Sequence, residues 1–372
     1  MKQLKVMSVF GTRPETIKMA PVVLELNKRS EIDHKVCVTA QHREMMDPFL
    51  KTFDIKPEYD LNIFEPGQSL AQVTTRALNG LEDVIKEFKP DVLLVQGDTT
   101  TVFAGALAAF YAGVKIGHVE AGLRSGDLYS PYPEEANRKL TGVMANYHFA
   151  PTETSKSNLI KEGYDEDMIY VTGNTAIDAL NLVVKEEYTF ESETLNNIDF
   201  DSKKVIYMTA HRRENLGQPM EDIFSAIRKI IDQYQDTELV FPMHLNPKVR
   251  EIAHKHLDGN DRIHLIEPIG YTDSANIQKR AYMVVTDSGG IQEESPNFGK
   301  PVLVLRKETE RPEGIEAGTA KLAGIDSQVI YDMMNELLSD ADAYNKMSNA
   351  VNPYGDGNSA KRIVDILIES NL

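Results

Sequence analysis

Short, nearly continuous apolar runs, each followed by a longer amphipathic stretch, recur along the chain and narrow what it can fold into. Leu4–Phe10, Val36–Ala40, Val92–Val95, Lys115–Val119 and Tyr170–Thr172 form one set. Val205–Thr209, Leu239–Pro242, Ile263–Ile266, Met283–Thr286 and Pro301–Leu305 form a second. Strands buried on both faces read this way, whereas half-exposed antiparallel strands alternate polar with apolar residues. Between the runs, Leu70–Phe88, Val102–Tyr111, Met220–Tyr234 and Asn246–Leu257 carry a helical period. Strand alternating with helix means right-handed βαβ units and a parallel sheet. The rhythm lapses between about Lys185 and Lys204, where Glu, Asn, Ser and Asp dominate, and this interval is expected to be a linker. A chain of 372 residues is long for one core. The expected fold is therefore α/β, with two Rossmann-like parallel-sheet domains, residues 1–185 and 186–357, facing a cleft. Ligands of such sheets bind beyond the carboxyl ends of the strands. Near the end, Asn352-Pro-Tyr-Gly-Asp-Gly breaks the pattern and Ala360–Glu369 resumes it, as a last helix that fits either domain.

The formal net charge of −17 argues against nucleic acid or an anionic membrane as partner, since both need a basic footprint. No apolar run approaches the roughly 20 residues that span a bilayer. The basic start and short apolar stretch of MKQLKVMSVFGTRPE lead into Gly-Thr-Arg-Pro-Glu rather than a small-residue cleavage site, so a first strand is expected there, not a signal peptide. The single cysteine, Cys37, lies in an apolar run and reads as a buried, inert thiol in a reducing, cytoplasmic setting. No metal is expected: there is no H-E-x-x-H, and His254 and His256 diverge on their helix. Neither a Walker loop nor a G-x-G-x-x-G is present, so neither ATP nor a nicotinamide cofactor is signalled.

Function should then lie just after the apolar runs. Gly11-Thr12-Arg13-Pro14-Glu15-Thr16-Ile17-Lys18 brings two cations to a helix start, which suits a phosphate or carboxylate, or is a plain strand-to-helix turn. Asp98, in Gln96-Gly97-Asp98-Thr99-Thr100-Thr101, reads equally as an N-cap or as a carboxylate at a strand end. Glu120 follows the next strand on the same sheet edge. Glu134 and Arg138 stand one helical turn apart, which alone is only a surface ion pair. Together, Asp98, Glu120 and Glu134 put three acids at one edge, where mutual repulsion would favour proton exchange near neutral pH. In the second half, His211-Arg212-Arg213 offers donors to a diphosphate or is a basic turn paired with Glu214, and His244 follows the next strand, where a lone histidine is more often structural. Ser288-Gly289-Gly290 opens a helix whose N–H groups suit an anion, unless the glycines serve only tight packing, with Glu294 one turn on, placed to accept from a ribose diol. Arg306 and Arg311 add charge at that edge.

GTRPE, QHREMMD, QGDTTT, HVEAGLRSGDLYSPYPEEANR, HRRENLG, TDSGGIQEE, ERPEG and NPYGDG occur in this order over essentially the whole chain. In these motifs the sequence resembles the bacterial non-hydrolysing UDP-N-acetylglucosamine 2-epimerases. The resemblance implies a glycosyltransferase-B-like fold, a homodimer, and a terminal helix, 358–372, crossing back to the first domain. It implies reversible epimerisation of UDP-GlcNAc to UDP-ManNAc by elimination of UDP to 2-acetamidoglucal and re-addition, without a cofactor, in supply of surface polysaccharides. Asp98, Glu120, Glu134 and His211 would be catalytic. Arg13, Lys18, Arg138, Arg212, His244, Ser288, Gly289, Gly290, Glu294 and Arg311 would bind substrate. UDP-GlcNAc would also act as an allosteric activator through Gln41, His42 and Gln68; the lesser reading of QHRE is an ordinary helix start. A hydrolysing epimerase, which releases UDP and ManNAc, and a glycosyltransferase of the same fold are the competing readings.

Overall fold

In the computed structural model, which describes residues 3–371, every one of these apolar runs is a strand. The chain forms two units, one running to Leu182 and taken up again from Gly355, the other Val183–Tyr354. The first unit holds β1 (Leu4–Phe10), β2 (Ile32–Val38), β3 (Tyr59–Asp60), β4 (Val92–Gln96), β5 (Lys115–Val119), β6 (Tyr147–Ala150) and β7 (Ile169–Val171). They make one parallel sheet in the order β3-β2-β1-β4-β5-β6-β7. The first three strands step one way from β1 and the rest step the other way. The order therefore reverses between β1 and β4, and there the carboxyl ends open a crevice. All five residues of β4 are buried, as helices on both faces demand. Met7, Val9, Leu93 and Val95 pack on the helices Leu70–Phe88 and Thr100–Tyr111, each side chain gaining roughly 1.5–3 kcal/mol from leaving water.

The second unit repeats the plan with β8 (Lys204–Thr209), β9 (Thr237–Pro242), β10 (Ile263–Ile266), β11 (Met283–Thr286), β12 (Val302–Val304) and β13 (Ala320–Leu322). Its parallel sheet runs β10-β9-β8-β11-β12-β13, and the switch falls between β8 and β11. The helix Gln218–Gln233 lays Ile223, Phe224, Ile227, Ile230 and Ile231 on this sheet, with Phe224 and Phe241 ring centroids 5.4 Å apart.

Three strands carry no clear sequence signal. β3 and β13 are two- and three-residue edge strands, too short for a pattern. β6 is Tyr-His-Phe-Ala, and His148 interrupts its apolar run although only 1 % of it is exposed. The polar interval 185–204 is not a free tether. Phe190, Leu195 and Ile198 are buried in the second unit against Val205 and Tyr207, and Phe190 stacks on Phe200 at 5.8 Å. The last helix, Ser359–Asn371, belongs to the first unit and buries Ile363, Val364 and Leu367. Asp178 accepts from the Ala360 N–H at 2.8 Å, and Asp365 pairs with Arg29 at 2.7 Å. Cys37 is fully buried in β2, and burial pushes its thiol up to about 12. Among the described residues, no helix is long and apolar enough to cross a membrane.

Candidate active site

In the first unit, β1 is followed by Gly11, where space forbids a side chain: a Cβ would fall 1.9 Å from Thr39 Oγ1. The turn enters the helix Arg13–Asn27, and the two N–H groups just before it are taken by the chain itself. Glu15, 1 % exposed, accepts the N–H groups of Gly11 and Thr12 at 2.8 Å each, and the hydroxyl of Thr99 from the turn after β4. Burial pushes this carboxyl up, against the lowering pull of those hydrogen bonds. Glu15 thus sets a buried carboxylate beside the start of this helix. Arg13 is exposed on the first turn. Lys18 instead reaches Glu120, and the two form an ion pair.

Glu120, just past β5, takes the left-handed backbone conformation with φ +64°. For a residue with a side chain this costs about 1–2 kcal/mol, and such strain gathers where geometry serves a site. Lys18 Nζ donates to its Oε1 and the buried Gln96 amide to its Oε2. Asp98 does not cap the helix Thr100–Tyr111; Thr99 does, accepting from the Val102 N–H. The Asp98 carboxylate pairs with Arg138 at 2.6 Å, and its carbonyl accepts from Asn137 Nδ2 at 2.9 Å.

The expected Glu134–Arg138 pair does not form. Arg138 is shared by Asp98 and the fully buried Glu135, whose carboxylate lies 3.0 Å away. Burial would raise the Glu135 carboxyl, but the Ser125 N–H, Arg138 and the Gly126 N–H outweigh it and hold it below the usual range. Glu134 opens the helix Glu134–Met144, and its buried Oε2 has no hydrogen-bond partner. The helix dipole favours a negative charge there. The three acids do not simply repel one another, as their shared edge led us to expect. Asp98 and Glu120 each have a cation, and only Glu134 is left to a helix end.

The candidate effector residues are Gln41, His42 and Gln68. Gln41 is 9 % exposed, and its Oε1 accepts from Thr101 Oγ1 at 2.8 Å. His42 is exposed and gives its backbone N–H to Gly11 O at 3.0 Å, so both lie beside the β1 turn. Gln68 accepts from Arg76 Nη1 through its Oε1 at 3.0 Å.

In the second unit, the turns after β8 and β11 are joined by Asp287, which is fully buried. Its Oδ2 accepts the N–H groups of His211 and Arg212 at 2.8 Å each, and His211 Nδ1 lies 3.1 Å from its Oδ1. Burial alone would raise this carboxyl; the His211 ring and the two N–H groups prevail and hold it below its ordinary value. His211 stacks on His244 with centroids 5.7 Å apart and planes at 18°. Both line a cavity of about 300 Å³ with Tyr207, Ser274 and Ser288. The Ser288 N–H is spent on Thr286 Oγ1 at 2.9 Å, so Gly289 and Gly290 lead the helix Gly289–Glu294 with their N–H groups. Arg212 Nε donates to Asp287 O at 3.3 Å. Arg311, bound to Glu293 at 2.7 Å, lies over Gly289, where a Cβ would stand 3.3 Å from its Cζ. Glu294 accepts from Gln278 at 3.0 Å. Arg306 is turned to Glu214 and Glu310, at 3.2 and 3.1 Å.

Sequence reasoning missed Gln96, Glu135 and Asp287 as parts of these sites. Each lay inside a quoted motif, but nothing in one dimension shows a carboxylate serving two turns.

Comparison with known proteins places the chain in a family. The family model described as UDP-N-acetylglucosamine 2-epimerase matches residues 24–368. The UDP-N-acetylglucosamine 2-epimerase of Bacillus subtilis is 58% identical over 368 residues, covering 99% of this chain and 96% of that protein. A crystal structure of a UDP-N-acetylglucosamine 2-epimerase is 55% identical with a TM-score of 0.93, covering 100% of this chain and 96% of its own. The Neisseria meningitidis UDP-GlcNAc 2-epimerase, solved with UDP-GlcNAc bound, is 49% identical with a TM-score of 0.83, covering 98% of this chain and 100% of its own. The fold reaches further, to a glycosyltransferase of kitacinnamycin at 12% identity and a TM-score of 0.67, over 99% of both chains. With a family model over most of its length and a relative 58% identical over 99% of it, the chain belongs to the UDP-N-acetylglucosamine 2-epimerase family.

Proposed function

We propose that the protein interconverts UDP-GlcNAc and UDP-ManNAc, reversibly and without hydrolysis, to supply ManNAc units for surface polysaccharides. The observation that carries this reading is the pair of cation-supported acids at neighbouring strand ends, Asp98 on Arg138 and Glu120 on Lys18, in a chain of this family. The proton on carbon 2 is weakly acidic, so a base and a stabilised leaving group must act together. Its removal leaves an electron pair that forms the carbon 1–carbon 2 double bond as the carbon 1–oxygen bond breaks, and UDP departs with that bond's electrons. The diphosphate oxygen then re-forms its bond to carbon 1, and carbon 2 takes a proton on the opposite face. Asp98, Glu120 and Glu134 supply the proton-transfer groups, with Lys18, Arg138 and Arg13 orienting the sugar. His211, Arg212, Arg311 and the N–H groups at Gly289 and Gly290 stabilise the departing diphosphate. His244 and Ser288 line its cavity, and Glu294 takes the ribose. No step needs a nicotinamide or a metal.

UDP-GlcNAc also activates the enzyme through Gln41, His42 and Gln68. The protein works in the cytoplasm as a homodimer. The apolar side chains left exposed on two packed helices support the dimer: Phe110, Tyr111, Leu140 and Val143 are 48–75% exposed. Anion-exchange separation of the products of UDP-GlcNAc tests the reading. A mixture of UDP-GlcNAc and UDP-ManNAc is expected from either starting sugar. Free ManNAc with stoichiometric UDP would replace the proposal with the hydrolysing reaction.

A further inference from the structure

His118 is the penultimate residue of β5 and 1 % exposed. Its Nε2 lies 2.7 Å from the carbonyl oxygen of Gly97. A carbonyl only accepts, so Nε2 carries the proton, and the neutral ring is the tautomer with a bare Nδ1. That Nδ1 is buried without a hydrogen-bond partner. Burial keeps the ring neutral, pushing its pKa down to about 4. The N–H of Gly97 donates to Val119 O at 3.0 Å, so both polar groups of Gly97 are held from β5. Gly97 turns with φ +81°, a conformation open to glycine and strained for other residues. On either side of it stand Gln96, whose amide holds Glu120, and Asp98, which pairs with Arg138.

We infer that His118 is a positioning residue for proton transfer: its Nε2–H fixes the Gly97 turn and thereby the placement of Asp98 relative to Glu120. This rests on reading Asp98 and Glu120 as the proton-transfer groups. The ring touches no reacting atom, and its effect is geometric. A displacement of about 1 Å at a reacting group costs on the order of 100-fold in rate.

The test compares His118→Met, similar in bulk but without the donor, with His118→Gln, whose amide can donate to Gly97. Steady-state epimerisation, UDP binding by calorimetry and thermal melting are measured on each. The expected result is a kcat lowered about 10- to 100-fold in the methionine variant, with KM and UDP affinity within about threefold of wild type, and most of the rate restored by glutamine. A methionine variant at wild-type kcat would overturn the inference, as would equal losses in both variants. If the methionine variant does not fold, His118→Asn, too short to reach Gly97, takes its place. If only wild type folds, the residue is structural and the inference fails. Asp98→Asn and Glu120→Gln are assayed alongside. Wild-type turnover in these would sink the reading of the acids themselves, whereas inactive acids beside a fully active His118→Met would sink this inference alone.

Discussion

The Arg138 guanidinium stands 2.6 Å from the Asp98 carboxylate and 3.0 Å from that of Glu135, so one cation ties the end of β4 to the helix Glu134–Met144. Glu135 is fully buried and gripped by two backbone N–H groups, which makes it a fixed anchor for Arg138. Arg138→Lys keeps the charge but loses the fork that serves two carboxylates. We expect kcat to fall roughly 10- to 100-fold while calorimetric UDP affinity stays near wild type. Unchanged kcat would show that the shared guanidinium is not needed.

Lys18 supports Glu120 in the same way, and that carboxylate is only 7% exposed. Removing one partner of a largely buried pair leaves an uncompensated charge, at a cost of up to about 3–5 kcal/mol when burial is complete. Lys18→Met should lower both turnover and urea stability. Adding Glu120→Gln to it should return stability toward wild type and leave turnover lost. Additive destabilisation in the double variant would mean that the two side chains do not interact.

Much of this was legible in the sequence, and the limits were physical. Doubly buried strands such as β4 announce themselves because helices on both faces require a continuous apolar run. β3 and β13 were hidden because a two- or three-residue edge strand needs no pattern, and β6 because His148 looks polar yet is buried. Asp98 and Glu120 were visible as acids after strands. Their partners were not, since Arg138 and Lys18 reach them only once the order of the strands is known. Helical spacing matched Arg138 with Glu134, whereas the fold gave it to Asp98 and Glu135.

Asp287 should set part of the acid stability. Burial raises its carboxyl, but His211 and the two N–H groups hold it below the ordinary value of about 3.9. A group depressed on folding contributes stability that is complete above its unfolded value and is lost as pH falls through the folded one. Asp287→Asn should therefore cost roughly 1–3 kcal/mol at pH 7, with the gap to wild type closing below about pH 4. Urea melts across pH 3–7 measure it, and a gap independent of pH would contradict this role.

His118 and His148, each 1 % exposed, are held neutral mainly by burial, with pKa values pushed down to about 4. The unfolded chain protonates them near pH 6.5. Between about pH 6.5 and 4 the unfolded state binds more protons, so stability falls on acidification, by up to about 1.4 kcal/mol per pH unit for each ring. His148→Phe should reduce that slope by one histidine's share in denaturant melts at pH 7, 6 and 5. An unchanged slope would mean that His148 titrates alike in both states.

Proton NMR of the wild-type protein with UDP-GlcNAc in deuterated buffer tests the central claim most directly. Growing UDP-ManNAc signals, with deuterium entering carbon 2 of both sugars and none elsewhere on the ring, are the predicted result. Epimerisation that keeps the original proton on carbon 2 would contradict proton abstraction by Asp98, Glu120 or Glu134.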